Sequence, residues 1–298
     1  MQTAKPISTI AMLLAGLFVA MPAAHADLPL TVEDLITDKG KFKLDLSVAY
    51  ANSERRGVAT GAPISIQTGP TSFVDVPSVV GESQGNSDTT VFTLGLRYGL
   101  TSKAEIYTRL SSLHSVQRSS NDLGQQARQS ESGFADAWAG VNIELKKDTD
   151  TPAVLVFCEV ALREKHRHSS ASFKSAMLGM TTYKAIDPVV FSLTGAYRFN
   201  QARTDGAQRL QPGNLIMLNP SVAFAVNDRV TLTTGMQWTR RQAEKRDGLA
   251  LGTTRTATDL LLGVGYGINK GNTVNTTLKV NASGAGGAEM RVSWLYTL

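Results

Sequence analysis

The sequence predicts an all-β fold, a 12-stranded antiparallel transmembrane β-barrel with a short N-terminal periplasmic or plug segment. Apolar and polar residues alternate with period two in stretch after stretch beyond residue 40, each of the length a tilted membrane strand requires. The connectors between these stretches alternate between short and long, and aromatic residues gather at the stretch ends. Mean hydropathy is −0.09, and no apolar run of about 18 residues follows the N-terminus, which excludes a polytopic helical membrane protein. A barrel escapes that exclusion, because lumen-facing polar residues cancel lipid-facing apolar ones in any average. With 26 glycines and only 18% charged residues among 298, the chain is neither a coiled coil nor a disordered tail.

Residues 1–26 read as a secretory signal: Lys5 supplies the basic start, Ile7 to Ala20 the apolar core, and Ala24-His25-Ala26 the cleavage site. The mature chain then begins at Asp27, and its single cysteine, Cys158, offers no disulfide framework. In 27–40, Thr31 followed by Asp34 suits a short helix start, with Leu30, Val32, Leu35 and Ile36 as apolar contacts, Glu33 and Asp34 as charges, and Gly40 as the stop. Such a segment either plugs the lumen or trails as a periplasmic leader. The barrel takes the remainder, 41–298.

The first strand, 41–53, carries Phe42, Leu44, Leu46, Val48 and Tyr50 on one face and Lys43, Asp45, Ser47 and Ala49 on the other. The second, 89–100, repeats this with Phe92, Leu94, Leu96, Tyr98 and Leu100 opposite Thr93, Gly95 and Arg97. Further strands are expected at 104–115, 133–146, 153–165, 172–185, 189–200, 214–226, 229–241, 256–268, 273–282 and 288–298. Turn formers such as Thr101-Ser102-Lys103, Asp187-Pro188 and Asn227-Asp228 make the short connections, whereas 54–88, 116–132, 166–171, 201–213, 242–255 and 283–287 are longer. Outer-membrane barrels keep short turns in the periplasm and long loops outside, so both termini fall on the periplasmic side. Loop 54–88 is expected on the cell surface, since Gly57, Gly61, Pro63, Gly69, Pro70, Pro77, Gly81 and Gly85 oppose a strand ladder. Tyr50, Phe92, Tyr197, Phe199 and Trp238 then mark an outer rim, and Phe42, Tyr98, Tyr266, Trp294 and Tyr296 a periplasmic one. A soluble two-sheet sandwich has no reason to sort its aromatics in this way.

The inward parity collects the candidate pore lining: Arg97, Glu105, Arg109, Asp136, Glu159, Arg163, Arg198, Asp259, Lys279, Glu289 and Arg291. Ionised groups are costly in hydrocarbon and belong in a wet interior. Such a mixed lining suits either a charge-lined pore or an interior closed by ion pairs. The formal charge of +5 is spread without a Lys/Arg block longer than Arg240-Arg241, which gives no support to nucleic-acid binding. No cofactor or metal is expected. His166 and His168 stand among Arg163, Lys165 and Arg167, which repel a cation and suit anionic lipopolysaccharide instead. His168-Ser169-Ser170 has the H-x-S spacing of outer-membrane phospholipases without their H-x-S-N-G context or an obvious orienting Asn, so no enzyme is expected and an outer-membrane lipid hydrolase ranks last among the function classes. Cys158 falls on the apolar parity and reads as a small lipid-facing side chain. The partners expected are outer-membrane lipid and lipopolysaccharide, the barrel-assembly machinery, and a small solute or an exported protein.

Three strand-turn phrases, R-Y-G-L-T-S-K-A-E-I-Y (97–107), G-F-A-D-A-W-A-G-V-N-I-E-L (133–145) and N-P-S-V-A-F-A-V-N-D-R-V-T-L (219–232), carry a family likeness. On them the chain resembles the outer-membrane barrels described as meta-pathway phenol-degradation-like transporters, over most of 41–298. The resemblance implies a 12-stranded barrel that passes small, aromatic or apolar solutes. Through relatives that export amyloid subunits and carry an N-terminal plug, it also implies a secretion conduit as the alternative. The chain ends Trp294-Leu295-Tyr296-Thr297-Leu298, with Leu where barrel assembly usually reads an aromatic residue.

Overall fold

The computed structural model describes residues 36–55, 58–60, 64–76, 80–82, 84–120, 126–166, 169–205, 208–283 and 287–298. Residues 1–35, and with them the expected signal at 1–26 and most of the expected segment 27–40, lie outside them. Twelve long strands follow one another: β1 (Phe42–Arg55), β2 (Gln84–Thr101), β3 (Ala104–Ser120), β4 (Gln126–Lys146), β5 (Ala153–His166) and β6 (Ser175–Ile186) make the first half. The second half comprises β7 (Val189–Asn200), β8 (Leu215–Ala225), β9 (Val230–Arg241), β10 (Arg255–Asn269), β11 (Asn272–Asn281) and β12 (Gly287–Thr297). Each strand pairs antiparallel with the next. The last returns to the first, from Lys43↔Thr297 to Ser53↔Gly287, and this closes the barrel.

Alternation along the closed sheet gives two very different faces. Phe42, Val48, Tyr50, Phe92, Leu94, Leu96, Ile106 and Leu110 are exposed on the outside, while Lys43, Ser47, Thr93, Glu105 and Arg109 are buried within. A continuous exposed apolar belt around a sheet is what a bilayer covers. At the short-turn end, the rings of Phe42 and Tyr98 lie 4.7 Å apart and those of Trp294 and Tyr296 5.8 Å apart. The Trp294 indole N–H donates to Asn272 at 2.5 Å. At the long-loop end, the Tyr50 hydroxyl donates to Asp88 at 2.7 Å, and Asn214 donates to the Tyr197 hydroxyl at 2.8 Å. Aromatic bodies in the belt with polar atoms directed to the rim form the girdles of a membrane interface.

The structure departs from the sequence expectation in its loops. The ladders of β2, β3 and β4 run well past the apolar alternation, to Gln84↔Ser120 and Ser120↔Gln126. Beyond the bilayer a strand needs no apolar face, so backbone pairing continues through 116–120 and 126–132 where the side-chain signal has stopped. Two other long loops meet in a four-stranded sheet of Arg203–Asp205, Gln208–Gln211, Glu244–Arg246 and Leu249–Leu251.

The larger correction concerns loop 54–88, expected on the surface. Its hairpin, Ile64–Gln67 paired with Phe73–Val76, is folded into the lumen. Ile66, Val74 and Val76 pack on Ala49, Ala51, Val91, Leu113 and Ala135, the apolar patch of the inner wall from β1 to β4. Phe73 packs on the opposite wall with Phe157, Met177, Leu215 and Met217. Burying each such side chain contributes about 1.5–3 kcal/mol, which exposure on the cell surface would forfeit. Gly69 and Pro70 lie in the turn of this hairpin, and they permit the reversal without excluding strand pairing.

Leu94 faces outward, in register between Leu46 and Leu110. Leu94→Arg is expected to destabilise the barrel by about 2–4 kcal/mol in reversible unfolding from lipid vesicles, the cost of a cation near mid-bilayer. A cost below about 0.5 kcal/mol would mean that this face meets water.

Candidate functional site in the barrel lumen

The lumen is occupied from both ends. At the short-turn end, chain from Ile36 to Gly40 enters beside β2, with Lys39 bridged to Gly99 and the Gly40 amide donating to the Gly99 carbonyl at 2.8 Å. A Cβ at Gly99 would stand 2.1 Å from the Asp38 carbonyl oxygen, so the missing side chain is what admits the segment. Thr37 is buried and its amide donates to Glu105 at 2.6 Å; Asn142 donates to the same carboxylate at 2.6 Å, and Arg97 lies 3.6 Å away. Nearer the mouth, the hydrogen bond and charge of Lys41 hold the Asp38 carboxyl below the usual carboxylate range. Of the candidate plug residues, Ile36 is half-buried here, while Leu30, Val32, Glu33, Asp34 and Leu35 lie outside the described residues.

In the middle of the barrel, Trp138 is fully buried between two cations, with the guanidinium carbons of Arg109 and Arg198 at 5.1 and 4.9 Å from its ring. Arg109 lies 3.4 Å from Glu159 and 3.8 Å from Asp136; Tyr107 donates to Glu159 at 3.1 Å and the Trp138 indole to Asp136 at 3.0 Å. Towards the long-loop end, Glu164 receives Arg198 at 2.8 Å, Arg203 at 2.7 Å and the Ser175 hydroxyl at 2.5 Å. On the far wall, Lys279 and Glu289 pair at 2.6 Å, Asn281 donates to Asp259 at 2.8 Å, and Arg291 takes the inward parity across from Ala49. A buried charge without a partner is costly, which is why the interior charges come in matched groups.

Arg163 is placed elsewhere than its parity implies. The register passes from Ala137↔Arg163 to Trp138↔Ala161, so Leu162 is an extra residue and the faces exchange beyond it. Arg163 is therefore exposed on the outer face, 5.8 Å from the Phe134 ring, and Glu164 takes the inward position. His168 falls outside the described residues, while Ser169 and Ser170 pair with His166 and Lys165 in the short strand that follows.

The inward hairpin brings further groups that the sequence reading passed over. Arg241 of β9 donates to Asp75 of the hairpin at 2.9 and 3.3 Å and to the Ser65 hydroxyl, and Arg198 lies 3.6 Å from the same carboxylate. The Gln67 amide donates to Glu289 at 3.1 Å, and the Ser47 hydroxyl to the Thr68 carbonyl at 3.3 Å. Two spaces remain beside the hairpin. One, of about 260 Å³, runs along β9 to β12 past Gln237, Asp259 and Lys279. The other, of about 110 Å³, lies under the hairpin turn between Asp45, Arg97, Arg109 and Phe157. Arg241 was legible from the β9 alternation, but its inward neighbours are Thr231, Thr233, Gly235, Gln237 and Thr239, an uncharged row that drew no attention.

No family model matches the sequence, and no curated protein matches it. The fold has solved counterparts. An outer membrane channel from Pseudomonas putida F1 aligns with a TM-score of 0.61 at 13% identity, over 94% of this chain and 100% of that one. The translocator domain of the autotransporter NalP from Neisseria meningitidis gives 0.55 at 10% identity, over 89% and 91%. The NanC porin gives 0.50 at 11% identity, over 86% and 100%. At these identities the likeness shows the fold, that of an outer-membrane β-barrel.

Because Gly99 admits the segment around Thr37, Gly99→Ala is expected to expel it. Hydrogen exchange of the peptide covering 36–42 should accelerate at least about tenfold, equivalent to ~1.4 kcal/mol of lost protection, with the barrel strands unchanged. Unaltered exchange would show that the segment does not rest on Gly99.

Proposed function

We propose that this protein is an outer-membrane channel for small solutes and that the hairpin around residues 64–76 forms its constriction. The hairpin carries the reading: a loop of the barrel enters the lumen and leaves spaces of about 260 and 110 Å³ beside it. Voids of this order suit single small molecules, since a cavity of about 150 Å³ holds benzene. Buried Phe73, Phe157, Met177, Leu215 and Met217 give part of the path an apolar wall. That wall favours the aromatic or apolar solutes implied by the resemblance to phenol-degradation-like transporters. The charged groups opposite it, Asp259, Lys279 and Glu289 among them, bias which solutes pass. An exported polypeptide would have to displace the hairpin whole, which ranks the secretion conduit second. The reading includes export through a cleaved signal at 1–26, insertion by the barrel-assembly machinery and contact with lipopolysaccharide, and it assigns no catalytic step.

Planar-bilayer recordings test it. Purified protein is expected to conduct, and replacing 64–76 by a short Gly-Ser linker should raise single-channel conductance at least about threefold by widening the narrowest part of the pore. Equal conductance in the two would remove the hairpin as constriction. Silence of both, in samples whose unboiled mobility shows a folded barrel, would contradict a channel.

A further inference from the structure

Arg198, Leu215, Arg241 and Arg255 stand side by side across β7 to β10, in one row of the pairing register. The barrel wall supplies part of the counter-charge, since Glu164 receives Arg198, but shares itself with Arg203. For Arg241 it supplies none that the described residues show: every partner of its guanidinium, Asp75 and Ser65, is on the hairpin. The contact with Asp75 is two-pronged, Nη2 to Oδ1 at 2.9 Å and Nη1 to Oδ2 at 3.3 Å, the geometry in which a guanidinium holds any carboxylate. Arg198 approaches the same carboxylate at 3.6 Å. The anion that completes this row therefore belongs to a loop, not to the wall.

We propose that Arg198 and Arg241, with Leu215 between them, form a binding site for the carboxylate of a small organic acid, and that Asp75 fills it as an internal surrogate which the solute displaces. The inference rests on the channel reading and gives its solute a chemical class. An incoming carboxylate reproduces the bonds that Asp75 makes, so the Asp75 carboxylate can withdraw from the row, with the apolar side of the hairpin still packed on the wall, without stranding a buried cation. The adjoining space of about 260 Å³, with Ile64, Ile66, Phe73 and Leu215 on its lining, accepts the apolar body of such an acid. Tethering gives Asp75 an effective concentration in the millimolar range, so a free acid competes only when abundant and the resting channel stays narrowed.

The test is a titration of the folded full chain in detergent with sodium butyrate replacing sodium chloride at constant ionic strength. Tryptophan fluorescence reports it, since the Trp138 ring lies 4.9 Å from the Arg198 guanidinium carbon. Asp75→Asn should saturate at a butyrate concentration at least about tenfold below that of the unsubstituted protein, because the tethered competitor is gone. Adding Arg241→Gln to Asp75→Asn should abolish saturation. Absence of saturation in Asp75→Asn, or a titration that Arg241→Gln leaves unaltered, would overturn the site. If Asp75→Asn does not fold, Asp75→Ala vacates the same row with Ile64, Ile66 and Phe73 kept on the lining, and carries the same expectation. Saturation without bilayer conductance would sink the channel and keep the site; conductance without saturation would do the reverse.

Discussion

The whole structure depends on one constraint: in hydrocarbon, each backbone N–H and C=O must be paired within the protein, because an unpaired group costs several kcal/mol and finds no water. A sheet satisfies this only by closing, which β12 does on β1 from Lys43↔Thr297 to Ser53↔Gly287. Closure forces every second side chain outward, so Val48, Leu94 and Leu110 meet lipid, and sends the others into an enclosed space. Twelve strands make that space wider than the wall's own side chains fill in smaller barrels. Other chain must enter, or water must.

Both the hairpin and the N-terminal segment enter, and each is received by a gap in the wall chemistry. The hairpin has two unlike faces set by its register, Ile64↔Val76 and Ile66↔Val74 on one and Ser65↔Asp75 on the other. Its apolar side meets an uncharged inner patch, Ala49, Val91 and Leu113, and its other side meets Arg198 and Arg241. The N-terminal segment uses Gly99, where the wall has no side chain, and the Glu105 carboxylate. Apolar burial of Ile66, Val74 and Val76 holds the hairpin against the wall, whereas the largely buried ion pairs of Asp75 set where its other side rests. On the proposed reading, such a constriction has a firm hinge side and a side open to competition from solutes.

The barrel was legible in the sequence because lipid on one side and water on the other impose a period of two that nothing else in the chain imitates. Phe42 to Tyr50 shows it, and the register confirms that face assignment for β1 and β2. The bulge at Leu162 was not legible, since one inserted residue leaves no mark on composition, and so Arg163 was assigned to the lumen in place of Glu164. The extension of β3 and β4 beyond the bilayer was hidden for the opposite reason: backbone pairing there proceeds without an apolar face. The hairpin did carry a signal, in Ile64, Ile66, Val74 and Val76, but surrounding glycines and prolines outweighed it. Asp75 had no local feature at all, because its meaning comes from Arg241, 166 residues away.

A hairpin inside the barrel hides its turn from bulky reagents, and the accessibility of that turn measures its position most directly. Thr68 is buried beside Ser47 in the folded chain. With Cys158→Ala as background, Thr68→Cys should resist a maleimide carrying a polyethylene glycol too bulky to enter the lumen, and should react fully once the protein is boiled in detergent. Rapid modification of the folded, unboiled barrel would put the hairpin on the surface and contradict the account.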